Sequence, residues 1–311
     1  MPPSFSSHPF GTLNGQPVTC FVLENGDSRA EILSFGGTLL RWWVPNHDGG
    51  TTDIIVGPDT LDGLAATNSG FGAIIGRYAN RIAGHAFTLD GVRYELPNNE
   101  DQRGNCLHVN GEFQFAHWEG SGAIVEGSPT LTLRYRSPDG ANGFPGEVET
   151  TVTYRLVAAG ARAIVLEIHY TATTTKPTHL NLTNHAYFNL AGRGDIRGHQ
   201  LQLPADRYSP VDECLIPLGE HHPVAETPFD FTTPIALGAS LEQAHPQLQR
   251  AGGIDHNFVL SPSCGAEEKA AATLWSPARE RVLEVFTTEP GLQVYTSNHL
   301  DPEFRPIGKQ G

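Results

Sequence analysis

In the stretch NLTNHAYFNL, residues 181–190, every second position carries a hydrogen-bonding side chain: Asn181, Thr183, His185, Tyr187 and Asn189. The alternate positions, Leu182, Asn184, Ala186, Phe188 and Leu190, are mostly apolar. Alternation at a period of two predicts a half-buried strand. An ordinary solvated face would favour Lys, Glu, Asp or Arg, and this one has none. Neutral amides, an imidazole and a phenol suit a face that meets a polar ligand without burying fixed charge.

Three further stretches depart from a simple core-and-surface pattern. GRYANRI (76–82) sets Arg77 and Arg81 about an Asn, NCLHVNGEFQF (105–115) places His108 before a turn, and GGIDHNFVL (252–260) delivers Asp255, His256 and Asn257 after a glycine pair. Each has a plainer reading. Arg77 and Arg81 suit surface ion pairs, a single His beside apolar neighbours suits a satisfied core position, and Asp255 suits a turn or cap. His221 and His222 read as a loop pair. No His-Glu-x-x-His zinc motif occurs, and no metal site is expected. Taken together, imidazoles, guanidinium, amides and carboxylates without a nucleophile elbow suit proton transfer on a polyhydroxylated ligand. Arg and Asn hydrogen-bond vicinal hydroxyls, carboxylates accept their protons, and His holds or gives a proton near neutrality. The residues alone define a sugar-sized acid–base site and leave the reaction open.

The elements that must position these groups are strands. EVETTVTYRL (147–156) places Val148, Thr150, Val152, Tyr154 and Leu156 on one face, and AIVLEIHY (163–170) does the same with Ile164, Leu166, Ile168 and Tyr170. RAEILSF (29–35), TLLRWWV (38–44), LTLRYR (131–136) and RVLEVFTT (281–288) read likewise. Turn signals such as ENGD, NHDGG, LDGV and SPDGANGFPG punctuate them. Helical periodicity is weak; ASLEQAHPQLQ (239–249) is its best example, interrupted by Pro246. Many strands joined by Gly- and Pro-rich turns predict an all-β, antiparallel β-sandwich in a single domain over residues 1–311.

Composition narrows the partners. The 311 residues are 39% hydrophobic and 17% charged, as in a folded globular protein. A formal charge of −14 disfavours nucleic acid and anionic membrane surfaces, both of which reward basic patches, and is indifferent to a neutral small molecule. No basic and apolar leader opens the chain, and no apolar run reaches the roughly 20 residues that span a bilayer. Cys20, Cys106, Cys214 and Cys264 lie far apart without a CxxC pair, which predicts free thiols in a reducing cytoplasm.

With these motifs in hand, the chain resembles the aldose 1-epimerase (galactose mutarotase) family. GRYANRI, NCLHVNG, NLTNHAYFNL, GGIDHNFVL and TTEPGLQVYTSN (287–298) carry the resemblance in order, from about residue 70 onward. It implies a large antiparallel supersandwich that binds one free aldose, such as galactose or glucose, without cofactor or metal. It implies ring opening and reclosure that interconvert the α and β anomers. His185 would be the general acid, His108 the second catalytic histidine, and Asn80, Arg81, Tyr187 and Asp255 sugar contacts. Glu289 stands where relatives carry a polar residue near the ligand.

Two departures stand out. Val109-Asn110 occupies a position where the family usually has Gly-Gly. The family's base, a glutamate in a Leu-Glu-x-Gln-like stretch after the YTSN strand, has no counterpart before Gly311; LEQ at 241–243 lies upstream. The expectation is that the base and the last strands lie beyond the end of this chain. Two rivals follow: a non-catalytic sugar-binding sandwich, and a hexose 6-phosphate 1-epimerase, which would need a cationic phosphate site.

Overall fold

The structure, a computed structural model, describes residues 2–160, 163–261 and 269–300. The chain divides into two compact units, which meet in sequence between Phe188 and Asn189. Strands dominate both, and the only α-helices among the described residues are short: Leu61–Ala65, Leu237–Leu241 and Pro246–Ala251. The predicted helix at 239–249 is thus two pieces. Pro246 opens the second, where its missing N–H costs nothing, and the His245 ring caps it by accepting from the Gln247 N–H at 3.2 Å. No described helix is long and apolar enough to cross a membrane.

The first unit holds two main sheets. A five-stranded antiparallel meander runs Ser4–Leu13, Gln16–Asn25, Ser28–Leu33, Leu39–Pro45 and Thr51–Asp53. A four-stranded one runs Glu119–Val125, Ser128–Ser137, Val148–Ala158 and Ile164–Thr174. The alternation predicted for 147–156 holds at every position: Val148, Thr150, Val152, Tyr154 and Leu156 are all fully buried. They join the buried Leu131 and Leu133, and the two strands that carry them pack against the strand Gln16–Asn25. Each large apolar side chain so buried contributes roughly 2 kcal/mol. Two polar ties lock the layers, Tyr154 Oη donating to the Gly37 carbonyl at 2.9 Å and Asn25 Nδ2 to the Leu156 carbonyl at 2.9 Å.

The second unit holds two four-stranded antiparallel sheets. One orders Ile235–Ala236, Gln200–Gln202, Ala272–Trp275 and Val282–Val285; the other orders His222–Pro223, Arg207–Tyr208, Asp255–Val259 and Gly291–Tyr295. Phe229, Phe231, Phe258, Leu203 and Ile254 fill its core. Its two signature motifs interlock: a Cβ at Gly253 would lie 2.2 Å from Asn298 Oδ1, while Asn298 Nδ2 donates to the Ile254 carbonyl at 2.8 Å. Glycine at 253 is therefore a steric requirement of Asn298.

The stretch 181–190 is not one strand. Thr183–Asn184 pairs with Ile74–Ile75, and Tyr187–Phe188 pairs with Ile55–Val56. Between them the chain changes partner strand, and the Asn184 side chain makes the change. Its Oδ1 accepts the Ala186 N–H at 2.9 Å, while its Nδ2 donates to the Gly72 carbonyl at 2.9 Å and to Tyr154 Oη at 3.1 Å. A side chain that satisfies backbone groups locally replaces ladder bonds, and so breaks the strand at His185.

Candidate functional site

Three of the motifs meet in the first unit. Arg81–Ile82 pairs with Cys106–Leu107, and Ala79 N–H donates to the Asn181 carbonyl at 2.9 Å. His185 is held from both sides by the segment 72–73: its N–H donates to the Ala73 carbonyl at 2.9 Å and its carbonyl accepts the Gly72 N–H at 3.0 Å. Gly72 has φ of 66°, and a Cβ there would lie 2.2 Å from the Leu39 carbonyl oxygen, so only glycine permits this grip.

The result is a pair of imidazoles. The His108 and His185 rings lie edge to face at 5.3 Å between centroids and 86°. Burial pushes the His108 pKa well below the usual histidine range, with the neighbouring His185 and Arg81 acting in the same direction. Its Nδ1 accepts the Asn80 N–H at 3.0 Å, so the ring is a neutral imidazole with its hydrogen on Nε2.

Tyr187 supports the pair from behind. It is buried, its Oη donates to the Ser69 carbonyl at 2.9 Å, and its ring lies 5.1 Å from that of His185 and 4.8 Å from that of Phe71. The structure brings it to His185 as packing.

The two arginines divide their work, and neither is a surface ion-pair partner. Arg77 is fully buried: Nε donates to Ser137 Oγ at 2.8 Å, and the other nitrogens donate to the carbonyls of Ser137, Pro138 and Pro145. Ser137 Oγ in turn donates to Glu112. Arg77 thereby clamps the SPDGANGFPG turn to the site strands. Arg81 Nε reaches both carboxylate oxygens of Glu100, at 3.1 and 2.9 Å, with both side chains largely buried. Glu100 also accepts from Arg103 at 3.1 Å. The loop NNEDQRGN gave no periodic signal that could have singled out Glu100.

The loop after His108 has an unusual backbone. His108, Val109, Asn110 and Gly111 all have positive φ, at 52°, 48°, 55° and 71°. Left-handed backbone is what glycine adopts without penalty, so the Gly-Gly that the resemblance implies at this place would fit it freely. Val109 instead spends its side chain in a core with Leu96, Cys106 and Phe144.

Asp255 and Glu289 belong to the second unit. Asp255 opens the strand Asp255–Val259 opposite Tyr295, and its Oδ1 accepts from Gln293 Nε2 at 2.8 Å. Beside it His256 is fully buried: Nδ1 accepts the Asp255 N–H at 3.1 Å and Nε2 donates to Gln247 Oε1 at 2.9 Å. Burial pushes its pKa down to about 4. Glu289 is exposed in the turn before Gly291–Tyr295, its N–H donating to Thr287 Oγ1 at 3.1 Å. His221 and His222 pair with Ser209 and Glu220. Cys20 and Cys106 are buried free thiols, and Cys214 is a free thiol, half-buried; Cys264 and residues 301–311 lie outside the described residues.

An all-β scaffold thus brings a neutral imidazole against a second histidine, and the chain as a whole is similar to known proteins. The aldose 1-epimerase family profile matches residues 19–310. Galactose mutarotase from Rattus norvegicus is 39% identical over 310 residues, covering 97% of this chain and 84% of that protein. Aldose 1-epimerase from Escherichia coli K12 is 37% identical over 293 residues, covering 92% and 81%. The crystal structure of galactose 1-epimerase from Lactobacillus acidophilus NCFM superposes with a TM-score of 0.84 at 26% identity, covering 96% of this chain and 84% of that one. The chain belongs to the aldose 1-epimerase family, and its fold is the all-β sandwich of that family.

Proposed function

We propose that this protein is an aldose 1-epimerase that interconverts the α and β anomers of a free aldose such as galactose or glucose. The observation that carries the reading is the His108–His185 pair, one imidazole locked neutral beside another, in a chain whose relatives are named for this reaction. His185 is the general acid that protonates the ring oxygen as a carboxylate removes the anomeric hydroxyl proton. The C1–O5 bond breaks, the aldehyde forms, C1–C2 rotates, and the hydroxyl re-adds to the other face with the protons returned. Neutral His108 donates from Nε2 to a ligand oxygen throughout. The base is the carboxylate that the resemblance places after the YTSN strand, with Glu289 as the alternative.

Arg81 and Asp255 are assigned to sugar hydroxyls by their motifs, and Asn80 and Tyr187 by theirs, although the geometry of the last two favours support of the histidines. Relatives named as enzymes speak against a mere sugar-binding module, and a net charge of −14 gives little support to the cationic phosphate site of a 6-phosphate epimerase. A net charge of −14 supports a small neutral partner over nucleic acid or membrane, and the free thiols support a cytoplasmic setting. Polarimetry on freshly dissolved α-galactose and α-glucose tests the reading: an enzyme speeds the approach to equilibrium in proportion to its concentration, and a binder leaves the buffer's own rate.

A further inference from the structure

We propose that Asn80 is a positioning residue whose left-handed backbone, hydrogen-bonded to His108, fixes the tautomer of that histidine. The two residues bracket each other: Asn80 N–H donates to His108 Nδ1 at 3.0 Å, and His108 N–H donates to the Asn80 carbonyl at 3.1 Å. An Nδ1 that accepts carries no hydrogen, which leaves Nε2 as the donor toward a ligand. The bracket depends on positive φ at both residues, 66° at Asn80 and 52° at His108.

Asn is among the few non-glycine residues that enter this region readily, through local side-chain hydrogen bonds. Here Asn80 Oδ1 accepts the Arg81 N–H at 2.9 Å and lies 3.5 Å from Arg81 Nη1. The amide oxygen is therefore spent on the backbone that it shapes, in the same turn that leads Arg81 to Glu100. The identity of residue 80 is set by the conformation that aims its N–H, and the ring of His108 inherits its orientation from that N–H. The inference rests on the acid–base reading above for its link to turnover, but the tautomer itself does not.

Two substitutions separate backbone from side chain. Asn80→Gly and Asn80→Val both remove the amide, but glycine tolerates φ near 66° and a β-branched residue does not. NMR of the full chain with 15N-labelled histidine is expected to show His108 with hydrogen on Nε2 in the parent and in Asn80→Gly, and mixed tautomers in Asn80→Val. Both variants lose the amide that its motif assigns to the sugar and should raise KM alike, while kcat should fall roughly tenfold or more further in Asn80→Val than in Asn80→Gly, a part of what losing an oriented donor costs. Hydrogen on Nδ1 in the parent would overturn the proposal. So would equal kcat and the same His108 tautomer in Asn80→Gly and Asn80→Val, since the left-handed backbone would then have no part in either. A parent protein without mutarotation would sink the functional reading alone, and the NMR comparison would still decide this one.

Discussion

The imidazoles of His108 and His185 stand edge to face, 5.3 Å apart and nearly perpendicular. Two protonated rings at that distance would repel each other in a half-buried place, and the protein resolves the conflict by holding His108 neutral. In the acid–base reading proposed above, its contribution is a directed Nε2–H. His108→Ala should lower kcat/KM by on the order of 10²–10³, as losing one preorganised donor does. His108→Gln, which restores an N–H at similar reach, should recover part of that loss. Steady-state polarimetry of the two variants checks it; equal loss in both would mean that the ring itself exchanges the proton.

Val109 is a β-branched residue held at φ 48° with its side chain 1% exposed. Val109→Ala loses buried methyl groups and keeps the backbone penalty, a cost of about 2 kcal/mol. Val109→Gly loses the same packing and releases the penalty, so it should be more stable than the Ala variant by about 1 kcal/mol, the reverse of the usual order. Asn110→Gly, at exposed φ 55°, should be neutral or slightly stabilising. Urea denaturation of the three variants reads the ranking, and an Ala variant more stable than Gly would refute it.

Arg77, fully buried, holds Ser137, Pro138 and Pro145 through four hydrogen bonds. Arg77→Ala leaves three carbonyls and the Glu112–Ser137 pair without their cation, and should cost on the order of 3 kcal/mol or more. Arg77→Lys, with fewer and less rigid donors, should fall between. If either variant kept parental stability in chemical denaturation but lost sugar affinity, Arg77 would be a ligand contact.

His256 makes stability depend on pH in a stated direction. Folded, it titrates at about 4; unfolded, it returns to the ordinary value of 6.5. Between these values the unfolded chain binds the extra proton, so the stability present above about 6.5 is lost as pH falls toward 4, by about 3 kcal/mol in total. His199 and His245, also pushed down by burial, act in the same sense. His256→Gln should be less stable at pH 7 yet show a shallower fall in Tm from pH 7 to pH 4.5. An unchanged slope would mean that the buried ring does not carry the acid sensitivity.

The period-two pattern of 147–156 was legible because every second residue on that strand is wholly buried, a one-dimensional signal. The helix break at Pro246 was legible for the same local reason. The stretch 181–190 misled because Asn184 sits in the apolar register and its amide takes over backbone bonds from Gly72 and Ala186. An Asn among apolar alternates was the visible sign. Arg77 could not be placed from sequence, since its partners lie 60 residues or more along the chain. The tautomer of His108 was not readable, because it depends on a backbone N–H from residue 80.

The central claim is that His185 gives the proton that opens the sugar ring. Polarimetry of freshly dissolved α-galactose with the parent and a folded His185→Ala variant tests it most directly. The account predicts a fall in turnover of roughly 10²–10⁴-fold, typical of a lost general acid, with a smaller change in sugar affinity. Near-parental mutarotation in His185→Ala would contradict it and move the acid elsewhere.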